Sequence, residues 1–399
     1  MKMKAYKYRI YPAKEQAIAI GKNIESCRQL YNELLSLKKK AYKKDKTSLT
    51  RFDLTKKTRG KNKEVHSQVS QNVADRIDKA YKNFFARVKR GEKEKGFPRF
   101  KKYGVYSSIT LPQITSPEKI GKKTYFPKIG WLNVKYHRPI TGTPKTLTIK
   151  KAKSGKYFIT VSCADAAKEK IKLGKGTVGI DLGLNHFVAT SDGEFFDHPK
   201  PMKNISKKRK ALARQFSKTK KRSGNRNKAR IRLARLDEKI ANVRNDFGWK
   251  LCRALIQKYK TIYIEDLNVN GMMKNHQLAG AITDVSWTDF TSKLLYMAES
   301  AGGKVVKVNP RNTSQLCSEC GKIVEKELGT RTHNCPNCNL KMDRDTNAAR
   351  NILSIGKIGL EQPKLRLKEM KPLLLAQARR QASSMKQEAP TSTQCVRWG

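Results

Sequence analysis

Thr177-Val178-Gly179-Ile180-Asp181-Leu182-Gly183 is an apolar strand that runs straight into a carboxylate. Glycines at 179 and 183 allow a substrate backbone to approach closely. The same strand-GxDxG pattern opens actin-like ATPases, and a turn or helix-capping aspartate is its plain alternative. Downstream, Phe187-Val188-Ala189-Thr190, an Asp192-Gly193 turn and Glu194-Phe195-Phe196 predict a hairpin after a central strand. Strands recur at Thr261-Ile262-Tyr263-Ile264 and Lys304-Val305-Val306-Lys307-Val308, and a helix starts near Asp345. An α/β unit therefore begins at about Ile171.

Two further acids stand at comparable places. Glu265 ends its strand, and alternation sends it to the face opposite Asp266. The third lies in Asp343-Arg344-Asp345-Thr346-Asn347-Ala348-Ala349, where either aspartate can cap the helix. Three carboxylates from two strand ends and a helix start are what a two-metal phosphodiesterase needs, since hard oxygens hold paired Mg²⁺ ions about 4 Å apart. The chain has no G-x-x-x-x-G-K-S/T phosphate loop and no second glycine-rich adenosine motif, which argues against an ATPase.

Between the second and third acids lie Cys317-x-x-Cys320 and Cys335-x-x-Cys338, fourteen residues apart. Four thiolates on two tight turns suit a tetrahedral zinc ion, with all positions filled by protein and none left for catalysis. A redox pair would place one CxxC on a helix after a strand. His333 is read as a non-ligand because the cysteine set is complete. Cys27, Cys163, Cys252 and Cys395 read as ordinary thiols, and eight cysteines in 399 residues are too few for a secreted disulfide scaffold.

Upstream, Ala5 to Tyr11 alternates as a strand stopped by Pro12. Two helical stripes follow: Ile24, Cys27, Tyr31 and Leu34, then Val69, Val73, Ile77, Tyr81, Phe84 and Val88. From Phe97 to Asp165 the period becomes two, with strands at 108–111, 131–134, 147–149 and 157–161, which predicts a small β-barrel.

Lys and Arg number 87 against 33 Asp and Glu, a formal charge of +54. Such an excess calls for a polyanion, because neutralised phosphates release condensed counterions. A ribosomal-type protein or a membrane-surface binder would share the charge. Lys200 to Arg235 holds sixteen cations and no acid. A helical pair broken near Ser223-Gly224-Asn225 and lying along a duplex accounts for it, with Lys207, Lys208, Arg209, Lys210, Lys220, Lys221 and Arg222 as candidate contacts. No stretch has the roughly 20 apolar residues of a membrane span, and Met1-Lys2-Met3-Lys4 lacks a signal-peptide run, so a cytoplasmic protein without membrane partners is expected.

The order GIDLG, IEDL, a CxxC…CxxC ribbon and DRDTNAAR resembles the TnpB family, transposon-encoded relatives of type V CRISPR effector nucleases. Gly96-Phe97-Pro98-Arg99-Phe100 and Asn309-Pro310-Arg311-Asn312-Thr313-Ser314-Gln315 also match its pattern, and the resemblance reaches about residue 357. It implies a multidomain α+β protein: a wedge-type β-barrel (1–12 and 97–170), a helical recognition insertion (13–96), an RNase H-like (RuvC) nuclease (171–314 and 343–358) and an inserted zinc ribbon (315–342). A polar tail expected to be disordered spans 359–399. The resemblance selects Asp345 over Asp343, giving Asp181, Glu265 and Asp345 as catalytic Mg²⁺ ligands. It further implies a guide RNA, a DNA target and a short flanking motif read by the N-terminal region. There Gln71 and Asn72 are candidates for bidentate bonds to adenine. A guided regulator or transposition accessory without cleavage is the alternative, although all three acids are present.

Overall fold

In the computed structural model the described residues are 3–61, 63–92, 94–114, 120–121, 123–166, 171–327 and 329–360. They divide into two compact units. One comprises residues 1–167 and 219–235, and the other residues 168–218 and 236–399.

The first unit opens with β1 (Met3–Tyr11), whose alternation turns Tyr6, Tyr8 and Ile10 inward. Helix α1 (Lys14–Asp45) begins just after Pro12, with the Gln16 side chain accepting from the Ala13 amide at 3.0 Å, and ends at Lys46 in the left-handed region. Its buried stripe contains Ile20, Ile24, Cys27, Leu30, Tyr31 and Leu34. The short α2 (Arg51–Lys56) leads to α3 (Ser67–Lys89), which buries Val69, Val73 and Ile77. The predicted stripe of α3 outruns the core: Tyr81 and Phe84 are half-buried and Val88 is exposed. Phe97 of the G-F-P-R-F stretch packs edge-on against both rings, at centroid distances of 5.5 and 5.1 Å.

Strands β2 (Ser108–Leu111), β3 (Lys123–Phe126), β4 (Gly130–Lys135), β5 (Thr143–Lys151) and β6 (Tyr157–Ala164) join β1 in a six-stranded antiparallel sheet of order β2-β5-β6-β1-β4-β3. The sequence reading missed β3, a four-residue strand with only Thr124 and Phe126 buried. Edges β2 and β3 do not pair among the described residues, so the hydrogen bonding describes an open sheet instead of the expected barrel. Helices and sheet share one core, in which Leu30, Leu34, Val73 and Ile77 accompany Ile109, Ile149, Ile159 and Val161.

The second unit is built on β7 (Gly176–Asp181), with the hairpin β8 (Val188–Thr190) and β9 (Phe195–Phe196) turning at Gly193, φ 87°. Helices α4 (Pro201–Lys218) and α5 (Gly224–Lys258) are the predicted basic pair, broken where expected, and residues 219–235 group with the first unit. Then come β10 (Tyr259–Glu265), α6 (Val269–Met272), α7 (His276–Val285), α8 (Trp287–Ala301), β11 (Lys304–Val308), the ribbon strands β12 (Thr332–Asn334) and β13 (Lys341–Asp343), and α9 (Arg344–Leu360). The five-stranded sheet runs β11-β10-β7-β8-β9, parallel from β7 through β10 to β11 and antiparallel from β7 to β9.

Alternation on β10 separates two cores. Ile262 and Ile264 pack with Leu251 and Leu255 of α5 and Phe290 and Leu294 of α8, whereas Tyr263 packs with Ile352 and Ile355 of α9. The tail expected to be disordered falls outside the described residues beyond 360, as does Cys395. Among the described residues no helix is long and apolar enough to cross a membrane.

Candidate active site and metal centre

Parallel strands β7 and β10 run in register, Tyr263 beside Gly179 and Ile264 beside Ile180. The next step brings Glu265 beside Asp181, at the roughly 4.8 Å spacing of neighbouring strands. Helix α9 delivers the third acid. A Cβ on Gly179 would lie 2.2 Å from the Ala349 carbonyl oxygen and 2.6 Å from the Leu353 nitrogen, so only glycine lets α9 press onto β7. That packing holds the first turn of α9, which carries Asp345, over the ends of both strands.

The acids feel one another. Burial, then the charges of Glu265 and Asp345, push Asp181 well above the usual carboxylate range. Burial also raises Glu265, opposed by the Thr313 hydroxyl bonded to it. Asp345 is raised by burial and by Asp343, against the pull of Arg331, Arg344 and His186. Asp343 acts on the backbone instead. Its Oδ1 accepts from the backbone nitrogens of Asp345 at 2.8 Å and Thr346 at 3.0 Å, capping α9. Asp266, on the opposite face from Glu265 as alternation requires, is exposed and pairs with Lys307 at 2.7 Å.

Around the rim, His186 bonds Asp197 through Nδ1 at 2.8 Å and lies tilted against Phe195, ring centroids 4.6 Å apart. With its amide oxygen turned toward Arg331, Asn185 accepts from that guanidinium at 2.9–3.2 Å. The sequence reading missed the buried Thr313, Asn347 and Asn351, which tie the site to the loop before the ribbon. For Asn347 and Asn351 the residue-level signal is a polar side chain on an otherwise apolar helix face, whereas Thr313 lies in a loop, within the Asn309–Gln315 stretch.

The four predicted cysteine sulfurs converge, all within 4.8 Å of one another, with Cys317–Cys338 at 3.6 Å and Cys320–Cys335 at 3.5 Å. Disulfide sulfurs would lie at about 2.05 Å. Zn–S bonds of about 2.3 Å give a tetrahedral edge of about 3.8 Å, which these separations fit. The two turns are built alike. Cys317 and Cys335 each accept from the residue four positions on, Gly321 and Asn339, both in the left-handed region that glycine and asparagine tolerate. His333 is fully buried and lies outside the sulfur cluster.

The basic candidates separate into two kinds. Lys207, Lys208, Lys210, Lys220, Lys221 and Arg222 are exposed or half-exposed, whereas Arg209 bonds Asp237 at 2.7 Å. Asp284, missed by the sequence reading, anchors the start of α4. It accepts from the amides of Met202 and Lys203 at 3.1 and 3.2 Å and pairs with Arg244 at 2.7 Å. On α3, Gln71 is exposed, but Asn72 accepts from Arg76, whose guanidinium also bonds Ser108 and Thr110.

Three family models match the chain: "Probable transposase" over residues 159–276, "Cas12f1-like, TNB domain" over 287–352 and "Helix-turn-helix domain" over 1–47. The last stretch folds here as β1 and the single helix α1. A "Putative RNA-guided DNA endonuclease" of Streptomyces pristinaespiralis is 31% identical over 367 residues, 88% of this chain and 89% of that one. The "Putative RNA-guided DNA endonuclease InsQ" of Escherichia coli (strain K12) is 28% identical over 89% of this chain and 92% of its own. The "TnpB-like protein L79" of Acanthamoeba polyphaga mimivirus is 29% identical over 58% of this chain and 46% of its own. Relatives spanning nearly the whole chain, together with the matched transposase and TNB segments, make this protein a member of the TnpB family.

Proposed function

We propose that the chain is a transposon-encoded, RNA-guided DNA endonuclease that cuts double-stranded DNA beside a short flanking motif, with Asp181, Glu265 and Asp345 as its catalytic carboxylates. The observation that carries this reading is the convergence of three buried or half-buried acids, two of which, Glu265 and Asp345, raise the proton affinity of the third, Asp181. Such a cluster is best kept ionised at neutral pH by cations. The oxygen-only donor set fits Mg²⁺. Two Mg²⁺ ions there would activate the attacking water and stabilise the leaving oxygen of the phosphodiester. The residues themselves hold the charge, keep the strand ends in register and line the rim with Arg331 and Arg344.

The strand order β11-β10-β7-β8-β9, with its antiparallel hairpin, supports an RNase H-like (RuvC) core for residues 171–314 and 343–358. The sulfur cluster supports structural Zn²⁺ within a 315–342 ribbon. We assign residues 1–12 and 97–170 the wedge role, and 13–96 guide or motif recognition through exposed groups such as Gln71. The lysines of α4 and of the turn after it suit the phosphates of a guide–target duplex. Base pairing reads the target in such a system, while protein reads the flanking motif and duplex shape. A cytoplasmic location suits this work.

The test is to co-express the protein with RNA from its own locus and supply Mg²⁺ and a plasmid carrying a matched target beside randomised flanking bases. Linear product that depends on the motif and is lost in Asp181→Ala, with binding retained, is expected. Guide-dependent binding without product from the unsubstituted protein would instead make the chain a guided regulator.

A further inference from the structure

Thr313 lies in the Asn309–Gln315 loop between β11 and the first cysteine turn, only 2% exposed, and its hydroxyl donates to Oε1 of Glu265, itself 8% exposed. The same hydroxyl lies 3.1 Å from the Pro310 carbonyl oxygen. A hydroxyl has one proton, so an ionised Glu265 takes it. The loop is itself held from α9. Asn351 Nδ2 donates to the carbonyl oxygens of Thr313 at 2.8 Å and Leu316 at 2.7 Å. One turn earlier, Asn347 donates to Leu316 at 2.7 Å and accepts from the Ser318 amide at 2.9 Å. Both asparagines are buried on the helix that carries Asp345. A single rigid element thus fixes the third acid directly and the second through Thr313.

We propose that Thr313, fixed by Asn351, is a positioning residue: its hydroxyl holds Oε1 of Glu265 and so sets the orientation in which the other oxygen meets a divalent cation beside Asp181 and Asp345. Without that bond Glu265 can rotate about its terminal torsion, which is broad, and the cation is held more weakly. This assignment rests on the metal-dependent reading above.

Mn²⁺ serves as the probe, titrated into the full-length protein without RNA and followed by the decline of the electron paramagnetic resonance signal of free Mn²⁺. The unsubstituted protein binds Mn²⁺ in a way that Asp181→Ala removes. Thr313→Val, which keeps the shape and loses the hydroxyl, raises the Mn²⁺ concentration for half-saturation on the order of tenfold, and Thr313→Ser restores it. In the guide-loaded complex, Thr313→Val shifts the Mg²⁺ dependence of cleavage by a similar factor and recovers rate at high Mg²⁺. Zinc content and unfolding temperature report whether the fold survives, and Thr313→Ala replaces the valine variant if it does not. Equal Mn²⁺ half-saturation in folded Thr313→Val and the unsubstituted protein overturns the proposal while leaving the metal reading intact. Absence of any Asp181-dependent Mn²⁺ binding overturns both.

Discussion

Asp343 and Asp345 stand two residues apart and divide cap from site by geometry. The Asp343 carboxylate accepts two amides at the start of α9, and Asp345 reaches toward the end of β7, its Oδ2 lying 3.8 Å from where a Cβ on Gly183 would stand. Asp343→Ala should therefore lower stability by about 1 kcal/mol in urea unfolding and cut cleavage only modestly. Asp345→Ala should cut cleavage on the order of 10³-fold, about 4 kcal/mol, at unchanged stability. The reverse ranking would exchange their roles. Asp181 offers a pH test. Unfolded, it ionises near 3.8 and Glu265 near 4.5, whereas both fold with raised values. Their contribution to stability is thus complete below about pH 4 and is lost as pH rises through the folded values. In metal-free buffer Asp181→Asn should raise the unfolding temperature more at pH 8 than at pH 4, and Mg²⁺ should shrink that gain. An equal gain at both pH values would contradict the raised value.

Helix α4 shows how an element can carry charge with almost no core of its own, whereas α5 buries Leu251 and Leu255. Of the α4 residues only Pro201 is buried, and the start of the helix is set by Asp284 and Arg244 instead of by apolar packing. That anchoring leaves Lys207, Lys208 and Lys210 available to phosphates. Replacing all three with alanine should flatten the plot of log affinity for the guide–target duplex against log salt, by up to about 0.9 for each phosphate no longer neutralised. Unfolding temperature should not change. An unaltered slope would show that these lysines are merely solvated. Arg209, engaged with Asp237, should contribute least to the slope.

Across the whole molecule, the cysteine cluster and the acids belong to one unit and share α9. Chelation should remove one Zn²⁺ per chain and unfold the 315–342 segment, since structural zinc contributes on the order of 10 kcal/mol in small fingers. Cleavage should fall with it, because Asn347 links the first cysteine turn to the helix of Asp345. Cys317→Ser with unchanged metal content and unchanged cleavage would refute the zinc assignment.

Much of this was legible in linear order, for physical reasons. Period-two and period-3.6 apolar patterns carry β1 and α1, because each buries one face of its own, and continuous apolar runs carry β7 and β10, which are buried along much of their length. CxxC spacing carries the ribbon, because two tight turns suffice to gather four sulfurs. The strand-end positions of Asp181 and Glu265 are local facts too. Partnership was not legible. The residues by themselves leave Asp343 and Asp345 equivalent as caps, the family resemblance favours Asp345, and the fold adds that Asp343 is the one whose carboxylate takes the first amides of α9. Asn72 looked free until Arg76 took its oxygen, and β3 was too short to show a period. The sheet that looked like a barrel is open in its hydrogen bonds. Thr313 finds Glu265 across 48 residues, a pairing that no local pattern encodes because it depends on where two separate elements end in space.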